Sequence, residues 1–323
     1  MKAVLWNGYG DADVLEVGEV DRPTLGENEI LVRIRAATVT AGDIEMRRFA
    51  FSGLIAIPLR LLLGIWRPRK GRILGQEFAG DVVEVGSGVD RHDIDDRVTG
   101  QAGLKFGGYA EYGVLSAKGP VAKIPEDVSY EEAATIPTAG VYAASFVEAA
   151  EVSPGDEILV VGGGGSIGSY VIQLASHAGA RVTALDRADK ADFMLSLGAS
   201  EVVDYQSVDF TQHHARYDAI LDVIDKSSFP KAAPALKEGG VYLYSDTSIV
   251  KLIRSRLSRH RKTRRYRFVT GLTGPGPIEE LAGQIASGHL RVPIDSKYSL
   301  DEIRQAHRRG ESGAKQGHVV VHM

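Results

Sequence analysis

The stretch Glu157 to Ala178, EILVVGGGGSIGSYVIQLASHA, constrains the fold more than any other part of this 323-residue chain. An aliphatic run ending at Val161 breaks into four glycines and resumes with helical periodicity from Ser166. A second apolar run, Arg181 to Leu185, follows and ends at an acid, Asp186. Strand, glycine turn, helix, strand and terminal acid, in that order, make up a dinucleotide-binding βαβ unit. The GxGxxG spacing falls on Gly163, Gly165 and Gly168, predicting a tight turn, close backbone approach to a pyrophosphate, and close packing of helix on strand. The amides of Ser166 and Ile167 at the helix start then face the phosphates. Asp186 is placed to hold the ribose hydroxyls. The competing reading is a glycine-rich turn that binds nothing, and the ordered context around the glycines argues against it.

At this length two lobes are expected, each able to bury a core. From Met1 to about Gly119, short alternating runs such as Glu29 to Ala36 and Ala79 to Val85 are punctuated by glycine, aspartate and proline, which predicts a mainly β lobe. From about Ala122 strand and helix alternate, which predicts a parallel, doubly wound sheet. That pattern continues with helix Asp189 to Leu197, strand Tyr217 to Val223, helix Pro230 to Leu236, strands Val241 to Ser245 and Arg267 to Gly271, and helix Ile278 to Ser287. The tail from Arg291 to Met323 ends in GHVVVHM and is too short to fold alone, so it is expected to complete the first lobe. The expected fold is therefore α/β, with a mainly β domain over 1–121 completed by 289–323, and a Rossmann domain over 122–288.

The chain has no cysteine, which rules out disulfides, thiolate nucleophiles and sulfur-ligated zinc. Nine histidines are scattered, and the adjacent His213 and His214 read as solvated loop residues. The start, MKAVLWNGYG, lacks the layout of a secretory signal, giving a cytoplasmic expectation. The most apolar stretch, Gly53 to Trp66, is interrupted by Pro58 and Arg60 and is too short to span a bilayer.

Several segments together carry a family resemblance: the opening MKAVLWNGYGDADVLEVGEVDRP, then GQEFAGDVVEVGSGVDRHDIDDRV, EEAATIPTAGVYA, the glycine turn, and YDAILDVIDKSSF followed by LKEGGVYL. On these residues the chain resembles the medium-chain dehydrogenase/reductase superfamily, in its zinc-independent quinone oxidoreductase (zeta-crystallin-like) branch, over essentially its whole length. The resemblance implies an N-terminal GroES-like lobe, a Rossmann lobe, a nicotinamide cofactor in the cleft between them, and a homodimer formed through Rossmann edge strands. Zinc-dependent relatives carry a histidine where this chain has Gln76 and a cysteine where it has Thr40, in ATVTAGD, and their four-cysteine structural loop is absent. No metal site is therefore expected.

Hydride transfer without a metal needs an electron-poor acceptor carbon and a group that stabilises charge on the acceptor oxygen. Quinones and α,β-unsaturated carbonyls suit this, since they spread the charge into a hydroquinone or enolate. The resemblance puts Thr40 and Asp43 in the catalytic cleft, Thr138 near the nicotinamide ring, and Tyr244 and Ser245 near its carboxamide. The competing reading for each is ordinary packing. A tyrosine that assists some members is replaced by Glu45, so no proton donor is identified. Asp186 repels the 2′-phosphate of NADPH, whereas Arg187 and Lys190 could clamp it, and the balance leans to NADH. The expected activity is NAD(P)H-dependent reduction of a quinone or enone. The alternatives are an enoyl-thioester reductase and a non-catalytic redox sensor.

Two basic segments stand apart. Lys251 to Arg267, KLIRSRLSRHRKTRRYR, holds nine Lys or Arg and no acid within a chain of net charge −4. It suits an anionic partner, although a solvated face is the plainer reading. Ile57 to Lys70, IPLRLLLGIWRPRK, mixes aliphatics with arginines and is read as a cleft lid or plain packing, with membrane-surface contact as the lesser alternative. Neither segment resembles a nucleic-acid module, so no nucleic-acid partner is expected.

Overall fold

The computed structural model describes residues 1–51, 56–69, 71–245, 264–271 and 274–323. It divides into two compact units, Met1–Thr138 with Thr273–Met323, and Ala139–Leu272. The first opens with β1 (Lys2–Trp6), β2 (Leu15–Glu19) and β3 (Glu29–Thr38), followed by helices α1 (Ala41–Arg48) and α2 (Ala56–Leu63). Strands β4 (Glu77–Val85), β5 (Arg97–Gln101), β6 (Tyr112–Ser116) and β7 (Val121–Lys123) and the short α3 (Tyr130–Ala133) come next. The second unit begins with α4 (Val141–Ala150), β8 (Glu157–Val161), α5 (Ser166–His177), β9 (Arg181–Asp186), α6 (Ala191–Ser196) and β10 (Glu201–Asp204). It continues with β11 (Tyr217–Asp222), α7 (Phe229–Ala232), β12 (Leu236–Tyr244) and β13 (Arg265–Phe268). The chain then returns to the first unit with α8 (Gly276–Ala286), β14 (Ile294–Ser299), α9 (Ile303–Glu311) and β15 (His318–His322).

In the second unit six strands lie in the order β10-β9-β8-β11-β12-β13, and every pair is parallel. Leu159, Val161, Ile220 and Tyr242 are buried, as expected of strands covered on both faces. The strand order reverses at β8, and sheets of this type bind ligands beyond the carboxyl end of the strand where that happens. The glycine turn follows that end directly.

In the first unit the sheet order is β14-β15-β3-β4-β5-β7, with β6 also paired to β3. Strand β15 runs antiparallel to β3, with Val320 opposite Thr38, and Val319, Val321 and Ile303 of the tail join Trp6, Ile30 and Phe78 in one core. The doubly wound sheet and the mainly β unit expected from sequence are thus both present. The unit limits differ from the expected ones, because 122–138 and 274–288 belong with the β unit. Strand β7 pairs with β5, the Thr99 hydroxyl donates to the Ala133 carbonyl, the Tyr130 hydroxyl donates to Asp81, and α8 packs on β7.

Some element limits also move. The helix expected to run to Leu236 ends at Ala232 and tightens into a 3₁₀ turn over Ala233–Ala235. Pro234 brings no amide to continue the helix, and Leu236 already pairs with Tyr217 as the start of β12. The last Rossmann strand runs from Arg265 to Phe268 rather than from Arg267 to Gly271. Most of the basic stretch from Lys251, namely 251–263, lies outside the described residues.

Candidate functional site

The nucleotide end of the second unit follows from its glycines. Gly162, one residue before the motif, has a left-handed φ of +89°, and a Cβ there would sit 2.6 Å from Ile224 Cγ2. It is Gly162, not Gly163, that makes the turn. At Gly163 a Cβ would fall 2.9 Å from that of Ala184 and 3.0 Å from Met194 Sδ, so this glycine serves strand packing. Gly165 is the N-cap of α5, and at Gly168 a Cβ would lie 2.2 Å from the Gly162 carbonyl oxygen, which fixes how closely α5 approaches the turn. The first intrahelical bond runs from the Ser169 amide to the Gly165 carbonyl, so the amides of Ser166, Ile167 and Gly168 precede it at the positive end of the helix. These donors suit a phosphate.

Asp186 closes the end of β9 and is almost fully buried. Its Oδ2 accepts from the Gly164 amide at 2.9 Å, and its Oδ1 accepts from the Arg187 amide at 2.9 Å and faces Lys190 Nζ at 3.0 Å. The Lys190 stem folds over Gly164, where a Cβ would meet its Cδ at 2.5 Å. The Arg187 guanidinium turns instead to Asp189, donating to both carboxylate oxygens at 3.0 and 2.7 Å. Asp186, Arg187 and Lys190 therefore do gather at the turn, with each cation already facing an acid. Tyr244 is fully buried, its ring stacked on Tyr266 at 4.5 Å between centroids, which makes its side chain a packing element; Ser245, the next residue, is half-buried.

The first unit holds a second polar cluster. Thr40 is the N-cap of α1, and its hydroxyl accepts from the Asp43 amide at 3.0 Å while donating to Asp43 Oδ2 at 2.6 Å. The Thr40 amide also donates to Oδ2, completing a capping box. Thr40 and Asp43 are thus brought together, and the geometry ties both to the start of α1. Asp43 is fully buried, and burial raises its pKa against the opposing hydrogen bonds from Thr40. The Gln76 carboxamide lies against Gly42 in the same first turn, 3.1 Å from where a Cβ would be.

Beside it stands Glu77, a buried carboxylate on the central strand β4. Its Oε1 accepts from the Thr38 hydroxyl, and its Oε2 accepts from the Thr138 amide at 2.6 Å. Thr138 sits in a π turn over Ile136–Gly140, and its hydroxyl accepts from the Gln101 side-chain Nε2 at 3.0 Å. Such turns recur at functional sites. Burial pushes the Glu77 carboxyl up to about 7 against these hydrogen bonds. Tyr109, also buried, donates to the Thr38 carbonyl at 3.1 Å, and burial near Asp43 and Glu77 raises its hydroxyl well above the ordinary value. Glu77, Gln101 and Tyr109 were not singled out from sequence. The available signal was an acid heading the run EFAGDVV, where a buried strand calls for apolar residues.

A nucleotide-binding parallel sheet with a phosphate turn, joined to a mainly β unit that carries its own buried polar cluster, defines a two-unit protein of the dehydrogenase type. Family models for an alcohol dehydrogenase GroES-like domain and a zinc-binding dehydrogenase match residues 26–126 and 197–321. Over its whole length the chain is 32% identical to 2-methylene-furan-3-one reductase of Solanum lycopersicum, covering 79% of that protein. It is 28% identical to the chloroplastic NADPH-dependent alkenal/one oxidoreductase of Arabidopsis thaliana, again over its full length and 79% of the relative. The solved quinone oxidoreductase of Coxiella burnetii matches with a TM-score of 0.87 and 29% identity, covering 100% of this chain and 99% of that one. The chain belongs to the medium-chain dehydrogenase/reductase superfamily.

Proposed function

We propose that this protein is an NAD(P)H-dependent reductase of quinones or α,β-unsaturated carbonyls that works without a catalytic metal. The observation that carries the reading is the donor set around α1 and β4. Zinc is held by histidine, thiolate and open carboxylate ligands. Thr40 here is a helix cap, Gln76 offers a neutral amide, and Glu77 spends its two oxygens on Thr38 and Thr138. These residues do not fit the metal named in the description of the family model.

The glycine turn and the first amides of α5 would hold the cofactor pyrophosphate, and Asp186 the adenosine ribose. When bound, the nicotinamide supplies the hydride. NADH is favoured over NADPH, because Lys190 is paired with Asp186 and Arg187 with Asp189, so a 2′-phosphate would compete with a carboxylate for either cation. Thr40 and Asp43 act as positioning residues that fix the first turn of α1. The Gln76 carboxamide is the donor that polarises the acceptor oxygen, in place of a Lewis acid. The homodimer implied by the sequence resemblance would form along β13, the last strand of the parallel sheet, and sedimentation velocity tests it.

Steady-state reduction of a quinone, an enone and an enoyl-CoA by Gln76→Leu tests the assignment. A lower kcat for the preferred acceptor, on the order of the hundredfold loss seen when an oxyanion donor is removed, with unchanged KM for the cofactor, is expected. Unchanged kcat would reject Gln76 as the donor. Enoyl-CoA turning over far faster than quinone or enone would move the substrate to a thioester.

A further inference from the structure

Residues 56–69, with Arg72, present an apolar and cationic face apart from the glycine turn and the Glu77 cluster. Helix α2 is anchored from below by Leu63, fully buried, and by Leu59, which packs on the same core. This leaves Ile57, Leu61 and Leu62 on its outer side, and the turn that follows exposes Ile65 and Trp66, the indole being 90% accessible. Large apolar side chains are seldom concentrated in this way on a surface that meets only water.

The charge along the segment is of one sign. No acid occurs between Glu45 and Glu77, while Arg60, Arg67, Arg69 and Arg72 fall within the segment. Three of these are fixed at the end of α2, where Arg60 donates to the Ile65 carbonyl at 2.6 Å, Arg72 to that of Leu62 at 3.2 Å, and Arg69 to that of Leu61 at 3.4 Å. The Arg69 and Arg72 guanidinium groups therefore lie at the backbone of the exposed Leu61 and Leu62, while that of Arg60 bridges the Ile65 carbonyl and the Tyr9 and Phe49 rings. A cavity of about 410 Å³ opens beside this face, lined in part by Leu62, Arg72, Leu104 and Gln101. Gln101 is the residue whose amide holds Thr138 beside Glu77.

We propose that this face docks on an anionic phospholipid bilayer. Trp66, Ile65 and Leu61 enter the boundary between headgroups and acyl chains, and the arginines meet lipid phosphates. An indole and aliphatic side chains alternating with arginines match that boundary, where apolar bodies and cationic heads are both satisfied. A second copy of the chain is a poorer occupant, because two such faces would bring like charges together. One consequence rests on the reductase reading: quinones dissolved in the bilayer become the substrate class.

The test uses the full chain with vesicles of phosphatidylcholine alone, and of phosphatidylcholine mixed with phosphatidylglycerol. Co-sedimentation with the anionic vesicles is expected, weakening as salt rises. A blue shift of tryptophan emission and quenching by brominated acyl chains should accompany binding, and both report Trp66 because Trp6 is already buried. The double variant Leu61→Ser with Ile65→Ser alters exposed positions only and should bind at least about tenfold more weakly. No binding, binding unchanged in the variant, or binding without quenching would overturn docking through this face. Self-association that the variant abolishes, without vesicle binding, would assign the face to a second copy and reject the bilayer. Turnover separates the two claims. A short water-soluble quinone should be reduced equally by wild type and variant, whereas a long-chain quinone carried in anionic vesicles should be reduced more slowly by the variant. Failure with both quinones would count against the reductase reading and leave the binding result standing.

Discussion

Glu77→Gln offers a sharp test of the buried cluster in the first unit. The folded protein holds the Glu77 proton up to about pH 7, against 4.5 for an ordinary glutamate, chiefly because burial disfavours the charged form. Between those values the unfolded chain has released a proton that the folded chain still binds, so stability falls as pH rises through that window. The gap between 4.5 and about 7 corresponds to about 3 kcal/mol, fully present below 4.5 and lost above the folded value. Glutamine imitates the protonated state, since its oxygen can accept from the Thr138 amide and its NH₂ can donate to a rotated Thr38 hydroxyl. The variant should be close to wild type at pH 4.5 and gain about 3 kcal/mol relative to it by pH 8. Urea denaturation followed by tryptophan emission is suited to this, because both tryptophans, Trp6 and Trp66, lie in the first unit. Taking the difference between the two proteins at each pH removes the titration of groups that do not interact with Glu77, leaving its coupling to Asp43 as part of the measured effect. A difference that stays constant across the range would refute the argument.

Two more perturbations address the nucleotide turn. Asp186→Ser removes the carboxylate that accepts from the Gly164 amide and releases Lys190, so kcat/KM for NADPH relative to NADH should rise on the order of tenfold, and an unaltered ratio would remove Asp186 from cofactor choice. Gly168→Ala drives a methyl to 2.2 Å from a backbone oxygen and should cost the second unit at least about 2 kcal/mol and most of its cofactor affinity. Gly164→Ala meets side chains rather than backbone, the Lys190 stem at 2.5 Å and Asp186 Oδ2 at 2.9 Å, and should cost less; equal effects in isothermal titration and thermal unfolding would contradict this account of the turn.

What could be read ahead of the structure was what short spacings encode. The strand, turn and helix from Glu157 to His177 follow from local periodicity, and so does the acid at the end of β9. The turn's left-handed residue, Gly162, escaped because its crowding comes from Ile224, far along the chain. The site in the first unit was less legible for the same reason. Glu77 gains its environment from Thr38 and Thr138, on separate elements, and no local pattern joins the three. Thr40 and Asp43 carried a visible signal, the T-x-x-D spacing of a capping box, which explains their pairing through helix geometry before any chemistry is invoked. Pro234 likewise marks the end of its helix in sequence, although only the pairing of Leu236 with Tyr217 shows how early β12 begins.

The central claim is metal-free hydride transfer from a nicotinamide to a conjugated acceptor. Its most direct test is oxidation of NADH and NADPH, followed at the nicotinamide absorbance band, with a simple quinone and with an enone, before and after a strong chelator. The account predicts turnover that survives the chelator and is faster with NADH. Turnover abolished by the chelator and restored by zinc would contradict it, as would tight cofactor binding with no oxidation by either acceptor.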